Sequence, residues 1–364
     1  MIDKLKVAIV GAGIGEEHLQ KGFAPAADLF AVTTICDVDH ARATAMAARH
    51  GIDDVVTSFD DLLERGDIDV IDICTPSKLH FAQTIAALEA GKHVICEKPL
   101  VSSLREMDAL EETAAAARGL LMPIFQYRFG AGVQKARLII DSGLAGKPYF
   151  GSAETFWRRE KDYYANSWRG RWSGEMGGVL VTHAIHIHDL FTHLMGPVDC
   201  LFGRIATRVN AIEVDDCASA CLQMKSGALA SLSATLGSQD QISRIRLMFE
   251  NVTIESGHVP YAPGREPWTF IPRNDEIGDA INAALADFPS RADGFEYQVR
   301  GFHAAIADGA ALPVTLADAR RSIELASAFY HSARLREDVC LPLGKDHPVY
   351  DGWVPAWATK SAAE

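Results

Sequence analysis

The sequence predicts a two-domain α/β protein, with a doubly wound parallel sheet followed by an α+β domain that has a large, mostly antiparallel open sheet. The first third of the chain alternates short apolar runs with amphipathic helical patterns, which favours a parallel sheet covered on both faces. A glycine-rich turn follows the first apolar run. Later strand segments alternate apolar with polar residues, as in an antiparallel sheet with one wetter face. We expect the first domain at 1–123 and the second at 124–364.

The first domain is predicted from β-rich runs separated by helical patterns. Its strands are expected at 5–10, 30–36, 55–57, 70–74, 93–96 and 120–124, and its helices include 39–50, 79–90 and 104–117. The last of these helices follows Ser103-x-x-Glu106, the pattern of a capping box. The pattern changes near 122–127, which places the domain boundary there.

The second domain combines an open sheet with several helices. Its strands are expected at 149–156, 200–209, 218–224, 228–236 and 244–249, and its helices at 133–142, 178–194, 276–287, 297–307 and 316–335. The alternation of apolar and polar residues in these strands indicates that one face of the sheet lies in a more polar environment than a core.

Composition argues against several classes of function. The 364 residues are 48% hydrophobic and 23% charged, as in ordinary globular proteins, and the formal net charge is −13. That charge argues against nucleic acid and anionic membranes as partners, and no apolar run approaches the ~18 residues needed to cross a bilayer. The start of the chain leads directly into a strand, so we expect no signal peptide and a cytoplasmic protein. The seven cysteines show no CxxC spacing and are expected to be buried, reduced thiols.

The glycine turn is expected to bind a dinucleotide cofactor through Gly11, Gly13, Ile14 and Gly15. Glycines let the backbone approach a pyrophosphate, and the helix that follows offers free N–H groups. The spacing departs from the usual fingerprint, because the third small residue, Gly15, comes one position early. Asp37 ends the second strand 24 residues after Gly13, where a carboxylate accepts hydrogen bonds from the ribose and repels a 2′-phosphate. This favours NAD over NADP; the alternative for Asp37 is an acidic residue at a helix N-terminus.

Further cofactor contacts are expected where the fourth strand ends, at Thr75, Pro76 and His80. Loops at the carboxyl ends of parallel strands line the ligand crevice of such sheets. The alternative is ordinary turn chemistry with Ser77 as the N-cap of the helix that carries His80.

Lys98 is the strongest candidate for a catalytic residue. It follows the fifth strand within Glu97-Lys98-Pro99. Moving a hydride from a carbinol carbon requires a base that removes the hydroxyl proton, and a lysine at this strand end suits that role. Glu97 is expected to orient Lys98 or the cofactor, and Pro99 is expected to fix the turn, where a cis bond is possible. The alternative is a surface ion pair in a turn.

The helix predicted at 178–194 carries a second group of candidates. At roughly 100° per residue, one narrow polar stripe contains Thr182, His186, Asp189 and His193. His183 lies towards the apolar face. Such a stripe indicates a cleft in which histidines relay protons or bind substrate hydroxyls. A metal site is the alternative, but the stripe is long and no carboxylate from outside it is assigned, so we expect no metal.

Substrate binding is assigned to a segment rich in aromatic residues and arginine. Its candidates are Tyr164, Trp168 and Arg169, joined by Arg128 near the domain boundary and by His183 and His186. Aromatic rings stack on sugar faces, and guanidinium groups bind hydroxyls or a carboxylate, so a sugar, polyol or sugar acid is expected. The alternative is a surface loop whose tryptophans pack on the sheet.

These motifs together resemble the glucose–fructose oxidoreductase/inositol dehydrogenase (Gfo/Idh/MocA) family over nearly the whole chain. The resemblance is carried by the glycine turn, Cys36-Asp37-Val38-Asp39, Ile73-Cys74-Thr75-Pro76-Ser77-x-x-His80, Glu97-Lys98-Pro99-Leu100, Gln126-Tyr127-Arg128-Phe129, Trp168-Arg169-Gly170, Gly177-Gly178, His186-x-x-Asp189 and Asp318-Ala319-Arg320. The family implies a Rossmann domain, a second domain whose open sheet commonly forms a homodimer or homotetramer interface, and NAD(P)-dependent chemistry on sugars, cyclitols and related polyols.

The resemblance also implies that Lys98 and His186 are the catalytic pair. Many members carry an aspartate four residues before this histidine, where the present chain has Thr182 followed by His183. A threonine accepts no proton at neutral pH, so the acid–base burden passes to Lys98 and His186, with His183 as a further candidate.

Three functions remain open from the sequence. The first is an NAD-dependent dehydrogenase of a sugar, cyclitol or sugar acid, with Lys98 as general acid/base and His186 as its partner. The second is an NAD-retaining enzyme that transiently oxidises a glycoside and eliminates a substituent. The third is a non-enzymatic nucleotide sensor, for which Lys98 would be dispensable.

Overall fold

The protein is described by a computed structural model that covers residues 4–289 and 291–360. The chain divides into two compact units. The first contains the residues up to Ile124 together with Gly294–Arg320, and the second contains Phe125–Asp293 and the residues from Arg321 onward. Residues 1–3, part of the start on which the signal-peptide expectation depends, lie outside the described residues.

The first unit is built on a parallel sheet of six strands. They are β1 (Leu5–Val10), β2 (Phe30–Cys36), β3 (Asp54–Val56), β4 (Val70–Ile73), β5 (His93–Cys96) and β6 (Leu121–Pro123). Their spatial order is β3-β2-β1-β4-β5-β6, and every neighbouring pair is parallel. Since β4 is buried along its whole length, the predicted sheet covered on both faces is confirmed. The order reverses between β1 and β4, and sheets of this kind hold ligands beyond the carboxyl ends of the strands at such a point.

The helices lie between and after the strands. They are α1 (Gly15–His18), α2 (His40–His50), α3 (Phe59–Leu63), α4 (His80–Glu89), α5 (Leu104–Ala116), α6 (Ala131–Asp141), α7 (Trp172–Glu175), α8 (Val179–Thr182), α9 (Ile185–Met195), α10 (Asp275–Leu285), α11 (Gly294–Asp308), α12 (Leu316–Leu335) and α13 (Ala356–Lys360). Helix α1 continues into a π-helical turn, Leu19–Phe23. Within the part of the chain that the structure describes, no helix combines the length and the apolar character needed to cross a membrane.

Helix α11 explains why 294–320, which the sequence assigned to the second domain, belong to the first unit. Its Phe295 ring lies 4.6 Å from the His18 ring, between centroids. Its Gln298 amide donates a 2.6 Å hydrogen bond to the carbonyl oxygen of Pro123, at the end of β6. The unit boundaries of the structure therefore differ from the predicted domain ranges at 294–320, because these apolar and polar contacts join residues far apart in sequence, which local patterns do not reveal.

The second unit is built on an eight-stranded sheet. Its strands are β7 (Pro148–Arg158), β8 (Val198–Ala206), β9 (Cys217–Met224), β10 (Leu229–Thr235), β11 (Gly237–Phe249), β12 (Val252–Glu255), β13 (Thr269–Pro272) and β14 (Val339–Cys340). Their order is β13-β12-β11-β7-β10-β9-β8-β14, and only the β7–β10 pair is parallel. The predicted large, mostly antiparallel sheet is therefore confirmed. Helix α9 packs on it at Gly151, where a Cβ would lie 2.7 Å from the Phe191 ring, so only glycine fits there.

The single helix predicted at 178–194 is wrong, because the structure has α8 and α9 with a break at His183 and Ala184. The N–H of Ala184 reaches the carbonyl oxygen of Val179, five residues back, at 2.8 Å. The Thr182 hydroxyl donates to the carbonyl oxygen of Gly178 at 2.6 Å. The extra residue in the turn is a π-type bulge, a feature that is frequent at functional sites and that an apolar period does not reveal.

The expectation that all cysteines are reduced is also corrected. Cys200 on β8 and Cys340 on β14 form a disulfide across 140 residues of sequence. The bond follows from the pairing of β14 with β8, in which the two residues stand opposite each other. Cys36, Cys74 and Cys96 are buried free thiols, as the sequence predicts.

Candidate functional site

The glycine turn lies close to the backbone at the end of β4 and leaves open space beside Gly13. Gly11 has φ +105°, and a Cβ there would lie 2.5 Å from the carbonyl oxygen of Cys74. A Cβ on Gly15 would lie 2.5 Å from the side chain of Ile9, so the early third glycine is needed for α1 to pack on β1. Nothing lies within 4 Å of the Cβ position of Gly13, and the Ile14 side chain is exposed. The turn therefore fits a ligand that needs close approach to the backbone, as a pyrophosphate does.

Asp37, at the end of β2, is held from both sides. Its Oδ2 accepts the N–H of Ala12 in the glycine turn at 2.8 Å, and its Oδ1 accepts the N–H of Asp39 at 2.9 Å. The guanidinium of Arg42 completes the set, with Nε 3.0 Å from Oδ2 and Nη2 2.6 Å from Oδ1. Burial alone would raise the pKa of Asp37, but the hydrogen bonds from Arg42 and the backbone hold that pKa below its usual value. The carboxylate is thus ionised and fixed beside the turn.

The loop after β4 is tied to the loop after β5 by His80. The buried His80 ring has Nδ1 2.8 Å from the carbonyl oxygen of Pro99 and Nε2 2.8 Å from that of Thr75. The Thr75 hydroxyl donates to the Gln83 side chain at 2.6 Å, and Pro76 is half-buried. Among these candidates His80 therefore links the two loops beneath their surface.

Lys98 lies two residues after the end of β5 and is half-buried. Its backbone N–H donates to Oε2 of the buried Glu97 at 3.0 Å, and its peptide bond to Pro99 is cis. Glu97 thus fixes the backbone from which the Lys98 side chain extends.

The other oxygen of Glu97 reveals a buried cluster that the sequence analysis missed. His18, in α1, has Nε2 3.0 Å from Glu97 Oε1 and Nδ1 3.0 Å from both carboxylate oxygens of Asp72. Because both ring nitrogens face carboxylates, both must donate, and the ring is an imidazolium. Burial alone would lower the pKa of His18, but the adjacent Asp72 raises it well above the usual value. The available signal was a charged residue inside the buried strand β4.

Three side chains of this cluster are also of the types that ligate metal ions. The donor atoms of His18, Asp72 and Cys74 lie within 4.8 Å of one another. The Cys74 sulfur is 3.4 Å from His18 Nδ1 and 3.5 Å from Asp72 Oδ2. Burial raises the pKa of the Cys74 thiol, whereas metal ligation requires a thiolate. Hydrogen bonds account for these distances, and we interpret the cluster as a charge network.

In the second unit, Thr182 fixes the protonation of His183. The Thr182 hydroxyl donates its one proton to the carbonyl oxygen of Gly178. The hydroxyl oxygen also lies 2.6 Å from His183 Nδ1. Nδ1 must therefore carry the proton and donate to Thr182. In the neutral ring Nε2 is then the basic nitrogen, which is the form needed to accept a proton.

His186 and Asp189 lie on α9 and are buried. The His186 ring stacks on Tyr127, with 4.7 Å between centroids. Asp189 accepts two hydrogen bonds from Arg128, at 2.7 Å from Nε and 2.5 Å from Nη2, and a third from Ser322 at 3.3 Å. Arg128, a substrate candidate in the sequence, is thus engaged in a buried ion pair within its own unit.

The predicted substrate segment forms a stacked cluster. The Arg169 guanidinium lies 4.1 Å from the Tyr163 ring centroid and 4.5 Å from that of Trp168. It donates to the Tyr163 hydroxyl and lies 3.4 Å from a carboxylate oxygen of Glu175. Tyr164 packs edge-on against Tyr163, with 5.0 Å between centroids. Aromatic and cationic groups are therefore brought together here, and substrate binding by this cluster stays a prediction.

Comparison with known proteins identifies related sequences. Residues 5–125 match the family model described as the NAD-binding Rossmann fold of the GFO_IDH_MocA oxidoreductases, and residues 133–255 match the GFO/IDH/MocA C-terminal domain. The chain is 27% identical to levoglucosan dehydrogenase of Pseudarthrobacter phenanthrenivorans, over 64% of this chain and 68% of that protein. It is 26% identical to myo-inositol 2-dehydrogenase of Thermotoga maritima, over 93% and 98% of the two chains.

The fold of this chain is also similar to that of a solved dehydrogenase structure. The WlbA dehydrogenase from Bordetella pertussis, in complex with NADH and UDP-GlcNAcA, superposes with a TM-score of 0.82 at 27% identity. The superposition covers 94% of this chain and 100% of that one.

We expect His18 to remain doubly protonated well above pH 6.5, because its folded-state pKa is raised by Asp72. Its contribution to stability is then fully present below the unfolded-state pKa of about 6.5 and is lost as pH rises through the folded-state pKa. Histidine ¹⁵N NMR should show two protonated ring nitrogens at pH 8, assigned by their absence in His18→Gln. A single protonated nitrogen at pH 7 would contradict the charge network.

Urea unfolding between pH 6 and 9 supplies the matching stability measurement. The double variant His18→Gln/Asp72→Asn should lack the part of the decline that the wild type shows above pH 6.5. The exposed His40, changed to Gln, is the control and should leave the wild-type profile unaltered.

Proposed function

The chain belongs to the Gfo/Idh/MocA family of oxidoreductases, and from that premise we propose that it is an NAD-dependent enzyme that moves a hydride between nicotinamide and a secondary alcohol of a sugar, cyclitol or sugar acid. Relatives named levoglucosan dehydrogenase and myo-inositol 2-dehydrogenase support this reaction class. The observation that carries the proposal is the combination, within the first unit, of the open glycine turn, the fixed Asp37 carboxylate and Lys98 after β5.

The first unit supplies the cofactor site in this proposal. Gly11, Gly13 and Gly15 let the backbone approach the pyrophosphate, and Asp37 accepts hydrogen bonds from the ribose hydroxyls. NAD bound there supplies the hydride acceptor for oxidation. The Asp37 carboxylate already receives four hydrogen bonds, two of them from Arg42, so ribose binding exchanges bonds with Arg42.

Lys98 exchanges the proton of the reacting hydroxyl. Its Nζ accepts that proton during oxidation and returns it during reduction, which requires an amine within hydrogen-bond reach of the hydroxyl oxygen. Glu97 holds the backbone N–H of Lys98 and is itself held by His18. These contacts fix the backbone from which the Lys98 side chain extends.

His183 and His186 orient the substrate in the second unit. With Nδ1–H donated to Thr182, Nε2 is the His183 nitrogen that this proposal assigns to a substrate hydroxyl. The Tyr127 ring restricts rotation of the His186 imidazole by stacking on it. Thr182 therefore takes a positioning role where many family members carry an aspartate.

Lys98→Ala should lower kcat/KM for NADH formation by about 10²–10⁴-fold, because it removes the proton acceptor. The assay supplies NAD with a panel of inositols, aldoses, glycosides, aldonic acids and uronic acids. Lys225→Ala, which removes an exposed lysine of the second unit, is the control and should retain wild-type activity. If no compound of the panel gives NADH and the purified protein retains NAD, the proposal is replaced by transient oxidation followed by elimination.

Thr182→Val should lower kcat by about 10-fold or more. The substitution removes the acceptor of His183 Nδ1–H, so the ring is no longer held in the tautomer protonated at Nδ1. Thr182→Ser keeps the oxygen and should retain most of the activity. The pH profile of kcat/KM should shift in the valine variant only. Equal activity and equal profiles in the two variants would rule out the positioning role of Thr182.

Asp37→Ser should raise the ratio of kcat/KM for NADP to that for NAD by about 10–150-fold. The change removes the charge that repels a 2′-phosphate and releases the Arg42 guanidinium to bind it. Asp39→Ser is the matched control, since Asp39 caps α2 and serine caps equally well. An unchanged ratio in Asp37→Ser would mean that Asp37 does not select the cofactor.

A further inference from the structure

Arg159 follows β7 and lies among aromatic rings. Its guanidinium carbon is 5.2 Å from the Trp157 ring centroid, 4.9 Å from that of Tyr163 and 5.8 Å from that of Tyr261. Its Nη1 donates to the hydroxyl of Tyr261 at 3.1 Å, the side-chain oxygen of Gln241 at 3.3 Å and the preceding carbonyl oxygen at 2.8 Å. All these acceptors are neutral.

The charge of Arg159 is not balanced by a carboxylate. Within residues 4–289 and 291–360 no acidic group lies within 4 Å of its guanidinium, and its Nε is buried without a hydrogen-bond acceptor. Its neighbours differ, since Arg158 pairs with Glu160 and Arg169 lies beside Glu175. A guanidinium whose charge no carboxylate balances can bind an oxyanion of a ligand.

The position of Arg159 connects it with the substrate candidates. Two of the rings around it, Trp157 and Tyr163, also pack against His183, at 5.4 and 5.6 Å between centroids. A guanidinium group offers a planar pair of N–H donors that matches a carboxylate or phosphate, and the exposed Tyr261 ring beside it is of the kind that packs on a sugar. The chemistry required of the ligand is therefore a sugar ring that bears an oxyanion.

We infer that the substrate is an anionic sugar and that Arg159 binds its carboxylate or phosphate group. The inference rests on the proposed function and narrows the substrate from sugars in general to charged ones. A guanidinium that served only to pack the loop would contribute equally to charged and uncharged substrates. The two roles are therefore separable by experiment.

The experiment compares Arg159→Gln with the wild type in the presence of NAD. Glucuronate, gluconate and glucose 6-phosphate are tested against the uncharged glucuronamide and glucose. The variant should lower kcat/KM for the preferred anion by about 10–150-fold, the range expected for loss of a charge-assisted hydrogen bond, and for its uncharged counterpart by less than about threefold. Arg158→Gln, an exposed guanidinium one residue away, is the matched control and should change neither value.

Calorimetry of the same compounds on the protein with NADH gives a readout that does not need turnover. Preference for glucuronate over glucuronamide that is lost in Arg159→Gln supports a carboxylate, and the same behaviour with glucose 6-phosphate supports a phosphate. Arg159-dependent binding without NADH formation would support the inference while refuting the proposed function. Equal losses for charged and uncharged compounds, or no preference for any anion in the wild type, would overturn the inference.

Discussion

The buried imidazolium of His18 is the interaction on which the first unit depends. It joins the helix after the glycine turn to Asp72 on β4 and to Glu97 after β5. These segments carry the predicted cofactor and proton-transfer groups, so one side chain ties them together. Removing one member of such a network leaves buried charge uncompensated, at a cost of about 3–5 kcal/mol. The network therefore favours one register of the three segments over any near alternative.

Asp215 has the corresponding role in the second unit. Its carboxylate accepts the N–H groups of Gly178 and Leu180 at 3.0 and 3.1 Å and the hydroxyl of Tyr330 at 2.7 Å. A Cβ on Gly178 would overlap the backbone carbonyl oxygen of Asp215, so only glycine permits this approach. The start of α8 is thereby fixed, and the bulge that follows turns His183 out of the helical path. The Asp215 carboxylate thus fixes the start of the short helix that ends at Thr182, the residue bonded to His183.

Local patterns in the sequence predicted the elements well and the contacts between them poorly. The bounds of β1, β2, β5 and α12 agree with the prediction, because buried runs and helical periods are properties of neighbouring residues. The return of α11 to the first unit, the disulfide of β14 and the cluster of His18 depend on residues far apart in the chain. The break before α9 was missed for another reason: it is a change in backbone hydrogen bonding at Ala184, which apolar periodicity does not reveal.

The distribution of charge partners separates arginines that the sequence could not distinguish. Arg128 and Arg169 were candidates for ligand binding because guanidinium groups beside aromatic residues suit sugars and carboxylates. Arg128 is bound to Asp189 and Arg169 lies beside Glu175, so each charge is already compensated within the fold. Arg159 has no carboxylate partner among the described residues and lies beside the rings that contact His183, so a ligand anion would balance its charge.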